Sequence, residues 1–236
     1  MRWLLLLVSF GVLAQERTEM LGQLGNRKAL LVLYSGKNAD GTSRLTGEYI
    51  TLPALQRSFL DGEAGPELGV TMLREGTTPI LFGREPTGEL RGTLSGGTFK
   101  GMRYGPGGQV RERFEFSDAF PDMSSYSQKV RCDARDAGYN SSLAYAVEGG
   151  TLQSFEWRSS VTSSGHTCTV MRSAQRAFKG GLQFSSGRCN VTLRDLGDHV
   201  RVAAENCAEQ CGSQAYLEPL LIDRRGNCRL LRPETR

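Results

Sequence analysis

The chain is written in short apolar runs separated by clusters of Gly, Asn, Asp, Ser and Thr, and this punctuation predicts strands rather than helices. In the first half, residues 29–34, 44–51, 70–74 and 79–82 read as strands. Residues 110–116 alternate in the period-two manner of a half-buried strand. Residues 90–104 read as a hairpin turning at Ser95-Gly96-Gly97, where glycine supplies the positive φ of a tight turn. Glycines 92, 96, 97, 101 and 105 lack self-similar side chains between them, so they mark meander turns and not a repeat array. In the second half, residues 129–132, 143–147, 152–157, 167–171, 182–184, 189–193, 200–204 and 216–222 predict further strands. Helix is expected only near 16–24 and 53–60. The expected fold is all-β: two small antiparallel β-sandwich or barrel-like domains, the second stapled by disulfides.

The N-terminus changes the setting. Arg2 precedes an apolar run over residues 3–13, and Val12-Leu13-Ala14 has the small-x-small look of a cleavage site. Residues 1–14 therefore read as a signal peptide cleaved near Ala14. A membrane span needs ~20 apolar residues, and no run reaches that length. The expectation is a periplasmic or secreted product without a transmembrane segment. At 39% hydrophobic and 23% charged residues the chain has enough apolar content for a packed core, which excludes a disordered chain. A net charge of +4 is too small to argue for nucleic acid. Nothing follows a strand with a glycine-rich phosphate loop, so no nucleotide or other cofactor is expected.

All six cysteines (132, 168, 189, 207, 211 and 228) fall in the second half. An even number in an oxidising compartment predicts disulfides and leaves many pairings open. The pairing expected here is Cys132–Cys168, Cys189–Cys207 and Cys211–Cys228. The middle pair has an argument: residues 189–193 and 200–204 form the arms of a hairpin around Leu196-Gly197-Asp198. Zinc at Cys207 and Cys211 is the alternative, but it lacks the second close pair that a four-ligand site wants, so no metal is expected. The asymmetry of cysteine also suggests a boundary. It gives a short N-terminal segment (15–27), a glycine-rich β-meander domain (28–118), a linker (119–127) and a cysteine-rich β-barrel-like domain (128–236). A single continuous β structure is the alternative.

Candidate chemistry is sparse. The two histidines, His166 and His199, sit beside turn-forming residues. Ser164, His166 and Asp198 make a catalytic triad only on paper, and no Gly-x-Ser-x-Gly elbow exposes a nucleophile. The expectation is a protein without catalytic residues. Of the basic residues 24 are Arg and 5 Lys, and residues 223–236 concentrate five arginines. That segment reads either as an anion-binding edge or as a solvated edge strand protected by charge. Asn-x-Ser/Thr triplets begin at Asn140 and Asn190 and matter only in a eukaryotic secretory route.

The second half also carries a resemblance. Lys129-Val-Arg-Cys132-Asp, Leu143-Ala-Tyr145, the Gly149-Gly150 turn, Ser163-Ser-Gly-His-Thr-Cys168 and Phe178-Lys-Gly-Gly181 follow an order that resembles the bacterial C-type lysozyme inhibitors. The resemblance spans residues 129–193. It implies a small exported β-barrel in which Ser164 and Gly165 belong to a cleft-plugging loop and Lys179 and Gly180 to a second segment beside it. His166, when protonated, and Lys179 would suit the carboxylates of a glycosidase cleft. Cys168 stands where that family has an aromatic residue, and four cysteines lie outside its pattern. The implied function is an exported non-catalytic binding protein inhibiting a lysozyme-type hydrolase, its partner being that protein or an anionic envelope component. An envelope structural or adhesive module and a secreted hydrolase with an unrecognised site are the alternatives.

Overall fold

The computed structural model of the protein describes residues 16–37, 43–64, 70–78, 85–212 and 216–231. The expected leader at 1–14 and the expected strand at 79–82 lie outside them. The chain is almost wholly β-strand and divides into two compact units at Asp118 and Ala119, with the turn Pro53–Leu55 grouped with the second.

The first unit is a closed eight-stranded barrel in chain order. Its strands are β1 (Glu16–Leu24), β2 (Arg27–Lys37), β3 (Ser43–Leu52), β4 (Gln56–Ala64), β5 (Val70–Gly76), β6 (Gly88–Ser95), β7 (Thr98–Tyr104) and β8 (Val110–Ser117). Each is antiparallel to the next, and β1 closes on β8 with Leu24 opposite Phe114. Alternation sends Leu31, Leu33, Tyr49, Leu73, Leu90, Phe99, Phe114 and Phe116 into a shared apolar interior. The outer wall carries charges such as Arg44, Asp61, Arg74, Glu89 and Arg91, which are destabilising on a lipid-facing wall.

Glycine makes the closure sterically feasible. Gly62 lies opposite the inward-facing Leu73, and a Cβ there would stand 2.0 Å from the Met72 carbonyl oxygen. At Gly101, opposite Gly92, the Arg91 carbonyl oxygen is equally close at 2.0 Å. The neighbouring backbone approaches closely at these positions, and only a residue without a side chain fits.

One part of the barrel interior holds charge. Glu75, 3% exposed, accepts hydrogen bonds from Tyr49 Oη (2.7 Å), Ser58 Oγ (3.0 Å) and Arg103 Nε (2.8 Å). Arg103 also reaches Glu112 at 2.8 Å, and Glu112 in turn takes Arg27 at 2.6 Å. Burial alone would raise the Glu75 carboxyl, but the hydrogen bonds from Arg103, Tyr49 and Ser58 and the Arg103 charge outweigh it. The carboxyl is held below its ordinary 4.5. A carboxyl lowered in the folded state stabilises above its unfolded pKa, and that stability is lost as pH falls through the folded value. The barrel is therefore expected to lose stability progressively below pH 4.5. Thermal unfolding across an acid series checks this, and Glu75→Gln should flatten the dependence.

The second unit is two sheets around one core. The four-stranded sheet runs β12-β11-β10-β9, from β9 (Gln128–Asp136), β10 (Tyr139–Glu148), β11 (Thr151–Val161) and β12 (Thr167–Met171). The six-stranded sheet runs in chain order through β13 (Gln175–Phe178), β14 (Gly181–Ser186), β15 (Cys189–Asp195), β16 (His199–Glu205), β17 (Leu220–Asp223) and β18 (Cys228–Leu230). A one-turn helix, α1 (Ala208–Cys211), follows β16. Inward residues of both sheets meet in one cluster, with Phe155 and Phe184 edge to face at 4.7 Å and Trp157 fully buried.

Several expectations need correction. Residues 16–24 form β1 and not a helix, so the expected segment 15–27 is, over its described residues 16–27, no separate piece but part of the barrel. Met20 and Leu24 are spaced as either element allows, and pairing with β2 and β8 decides. Residues 53–60 form the turn Pro53–Leu55 and the start of β4. Residues 119–127 are irregular, but Met123 is 1% exposed within the second core, so they are not a free linker. The disulfides are Cys132–Cys228, Cys168–Cys211 and Cys189–Cys207. Cys132–Cys168 fails because β9 and β12 are opposite edges of one sheet, three strand spacings or roughly 14 Å apart, beyond the reach of a disulfide. Cys211–Cys228 fails because each half is taken by an edge strand of that sheet. The hairpin β15–β16 brings Cys189 to Cys207 as expected.

Candidate functional site

Ser164, Gly165 and His166 lie in the turn between β11 and β12. Two hydrogen bonds close it, Gly165 N–H to the Val161 carbonyl and Val161 N–H to the His166 carbonyl, both near 2.9 Å. Thr162 N–H bonds the Gly138 carbonyl and so sets this turn beside the β9–β10 turn. Gly165 has φ +67° and open space around it, and His166 Nδ1 lies 3.0 Å from the Ser164 carbonyl oxygen. All three residues are exposed.

Lys179 and Gly180 form the β13–β14 turn. Gly180 lies against Phe120, and Arg194 stacks over both Phe120 (4.1 Å) and Phe178 (4.6 Å). The Gln175 side chain bonds Leu152 N–H and the Gly150 carbonyl, which places the start of β13 at the Gly150 end of the four-stranded sheet. The turn that follows lies on Phe120, just before the Met123–Ser124 backbone against which Gly150 packs. The Ser164 turn is at the Gly138 end. Nearly the length of β11, roughly 30 Å at strand rise, separates the two. The structure brings Ser164, Gly165 and His166 together and leaves Lys179 and Gly180 apart from them. Asp198 also sits away from Ser164 and His166: the β15–β16 turn joins the Arg224 segment, which follows the Asp223 that Gln128 reaches at the start of β9.

Between those ends the outer face of the four-stranded sheet forms a polar trough. Its floor is the outward, small side chains of β10, namely Asn140, Ser142 and Ala144. On one side stand Arg131, Asp133 and Arg135 of β9, and on the other Glu156, Arg158 and Ser160 of β11 with Thr167 and Thr169 of β12. Two contiguous hollows of about 560 Å³ and 370 Å³ share Asp133, Ser142 and Arg158. The trough exists because long side chains flank short ones across neighbouring strands.

The floor is held from beneath. Trp157 Nε1 donates to Ser141 Oγ at 2.8 Å, and Ser159 Oγ donates to the Tyr216 carbonyl at 2.7 Å. Tyr139, stacked on Tyr216, donates to the same carbonyl and accepts from Glu218 N–H. These buried bonds fix the β10–β11 pair that carries the floor. Arg158 is ion-paired with Glu156, whereas Arg131 and Arg135 have no ion-pair partner among the described residues. Chemically the trough offers hydroxyl and amide groups in both hydrogen-bonding senses, and guanidinium forks for anions.

The described residues hold no cluster of three His, Cys, Asp or Glu arranged for a metal ion. Cys207 and Cys211 enter different disulfides, so the zinc alternative falls. No described helix is long and apolar enough to cross a membrane. No protein-family model, no curated protein and no solved structure matches the chain. The trough was missed in the sequence, although one signal was there: Lys129-Val-Arg-Cys-Asp-Ala-Arg135 alternates charged and buried positions, and one strand over Asn140, Ser142 and Ala144 are uniformly small.

Proposed function

We propose that the protein is an exported, non-catalytic binding protein whose ligand surface is the outer face of β9–β12. The observation that carries this reading is the trough: polar, wide, built on a floor braced from the core, and flanked by two arginines without ion-pair partners. Six cysteines all engaged in disulfides support an oxidising compartment. Sedimentation of the disulfide-intact protein with isolated cell-envelope material tests the reading. Ser142→Trp fills the trough from an outward position and is expected to abolish co-sedimentation while changing stability by less than about 0.5 kcal/mol. Undiminished co-sedimentation of that variant overturns the assignment of the face.

Inhibition of a lysozyme-type hydrolase is a second reading, favoured by the exposed turn at Ser164–His166 alone. Because Lys179 and Gly180 lie at the other end of the sheet, one cleft cannot take both segments. If inhibition occurs, Ser164→Trp is expected to abolish it and Lys179→Ala to leave it unchanged. Turbidity clearing of bacterial cells by a lysozyme panel is the measurement. Loss with Lys179→Ala would show that both segments do engage one partner.

A further inference from the structure

The basic residues around the trough are arranged as a row. Lys129, Arg131 and Arg135 take outward positions on β9, so neighbours two apart stand about 7 Å from each other along the strand. The strand β18 lies against β9, clamped there by Cys132–Cys228, so the edge strand that carries the row is tied in place. All three side chains are exposed, and none enters an ion pair among the described residues. Asp133 interrupts the row between Arg131 and Arg135.

From this arrangement we infer that the trough and its basic rim bind an acidic polysaccharide, a linear glycan carrying carboxylates at intervals. The inference rests on the ligand face proposed above and names its ligand class. The row of separated cations matches spaced anions, since each guanidinium can take a carboxylate through two parallel hydrogen bonds. The floor of Asn140, Ser142 and Ser160 matches sugar hydroxyls, which both donate and accept. Nucleic acid fits less well because no aromatic ring lines the trough as a platform for bases. A lipid surface fits less well because the lining is polar, with no apolar ridge to insert.

Calorimetric titration of the full, disulfide-intact protein with polygalacturonate tests the inference, with dextran, duplex DNA and anionic phospholipid vesicles as parallel arms. Binding to polygalacturonate is expected, weakening with added salt, with none to dextran. Combined replacement of Lys129, Arg131 and Arg135 by Gln is expected to weaken it at least about ten-fold with an unchanged melting temperature. Asp133→Asn is expected to tighten it, because a like charge leaves the path of the anionic chain. Equal binding of dextran, stronger binding of DNA or vesicles, or indifference to the arginine replacements overturns the inference. If Ser142→Trp abolishes envelope binding while polygalacturonate never binds, the ligand class fails and the ligand face stands. If neither material binds, both fail.

Discussion

Replacing Cys132 and Cys228 together by alanine is expected to destabilise the second unit by about 4–5 kcal/mol, the largest effect of any disulfide in the chain. The bond closes a separation of 96 residues, against 43 for Cys168–Cys211 and 18 for Cys189–Cys207. Loop-closure entropy removed from the unfolded chain grows with that length. Trp157 is fully buried in the second core and reports the transition by fluorescence during urea unfolding. The barrel contains no cysteine, so its own midpoint should not move. A loss below about 1 kcal/mol in the second unit would mean that the two edges it ties are already held by packing.

The second large effect belongs to the barrel. Gly62→Val is expected to cost at least about 3 kcal/mol and to open the barrel wall, because the new Cβ meets backbone and not a movable side chain. The atoms in its way are the carbonyl oxygen and carbon of Met72 and the Cα of Leu73, at 2.0, 3.0 and 3.1 Å. Gly36, where a Cβ meets nothing within 4 Å, is the control and should accept alanine with little loss. Limited proteolysis of the first unit distinguishes the two variants. Equal resistance in both would mean that β4 and β5 can separate without breaking the closure.

What the sequence disclosed was local. Strands and tight turns were legible because alternation and turn residues act over a few positions, as in the hairpin from Gly88 to Tyr104 and the hairpin that carries Cys189 to Cys207. Closure of β1 on β8 was not legible, since it pairs segments at opposite ends of the first unit. The other two disulfides were missed for the same reason: the identity of the sheet edges depends on lateral strand order, which no local pattern encodes. The trough needed that order too. Arg131 and Ser142 show their outward parity in the sequence, but only the register of β9 on β10, with Asp133 opposite Ser142, assembles them into one surface. The segments around Ser164 and Lys179 are expected to be partners because the resemblance to the lysozyme inhibitors implies it. The intervening chain leaves the Gly138 end along β12 and crosses to β13 of the other sheet, which carries them apart.

The cross-link from Cys132 to Cys228 also sets a schedule. A chain emerging into an oxidising compartment presents Cys132 first and Cys228 last, with Cys168, Cys189, Cys207 and Cys211 arriving between. An oxidant that joined thiols as they appeared would tie Cys132 to Cys168, which the finished sheet cannot contain. The eight barrel strands, paired almost wholly with their immediate successors, need no such waiting and can close early. Maturation of the second half is therefore a problem of thiol exchange more than of oxidation, and its yield should depend on an isomerase or a redox buffer that keeps the first cysteine exchangeable until the last one arrives.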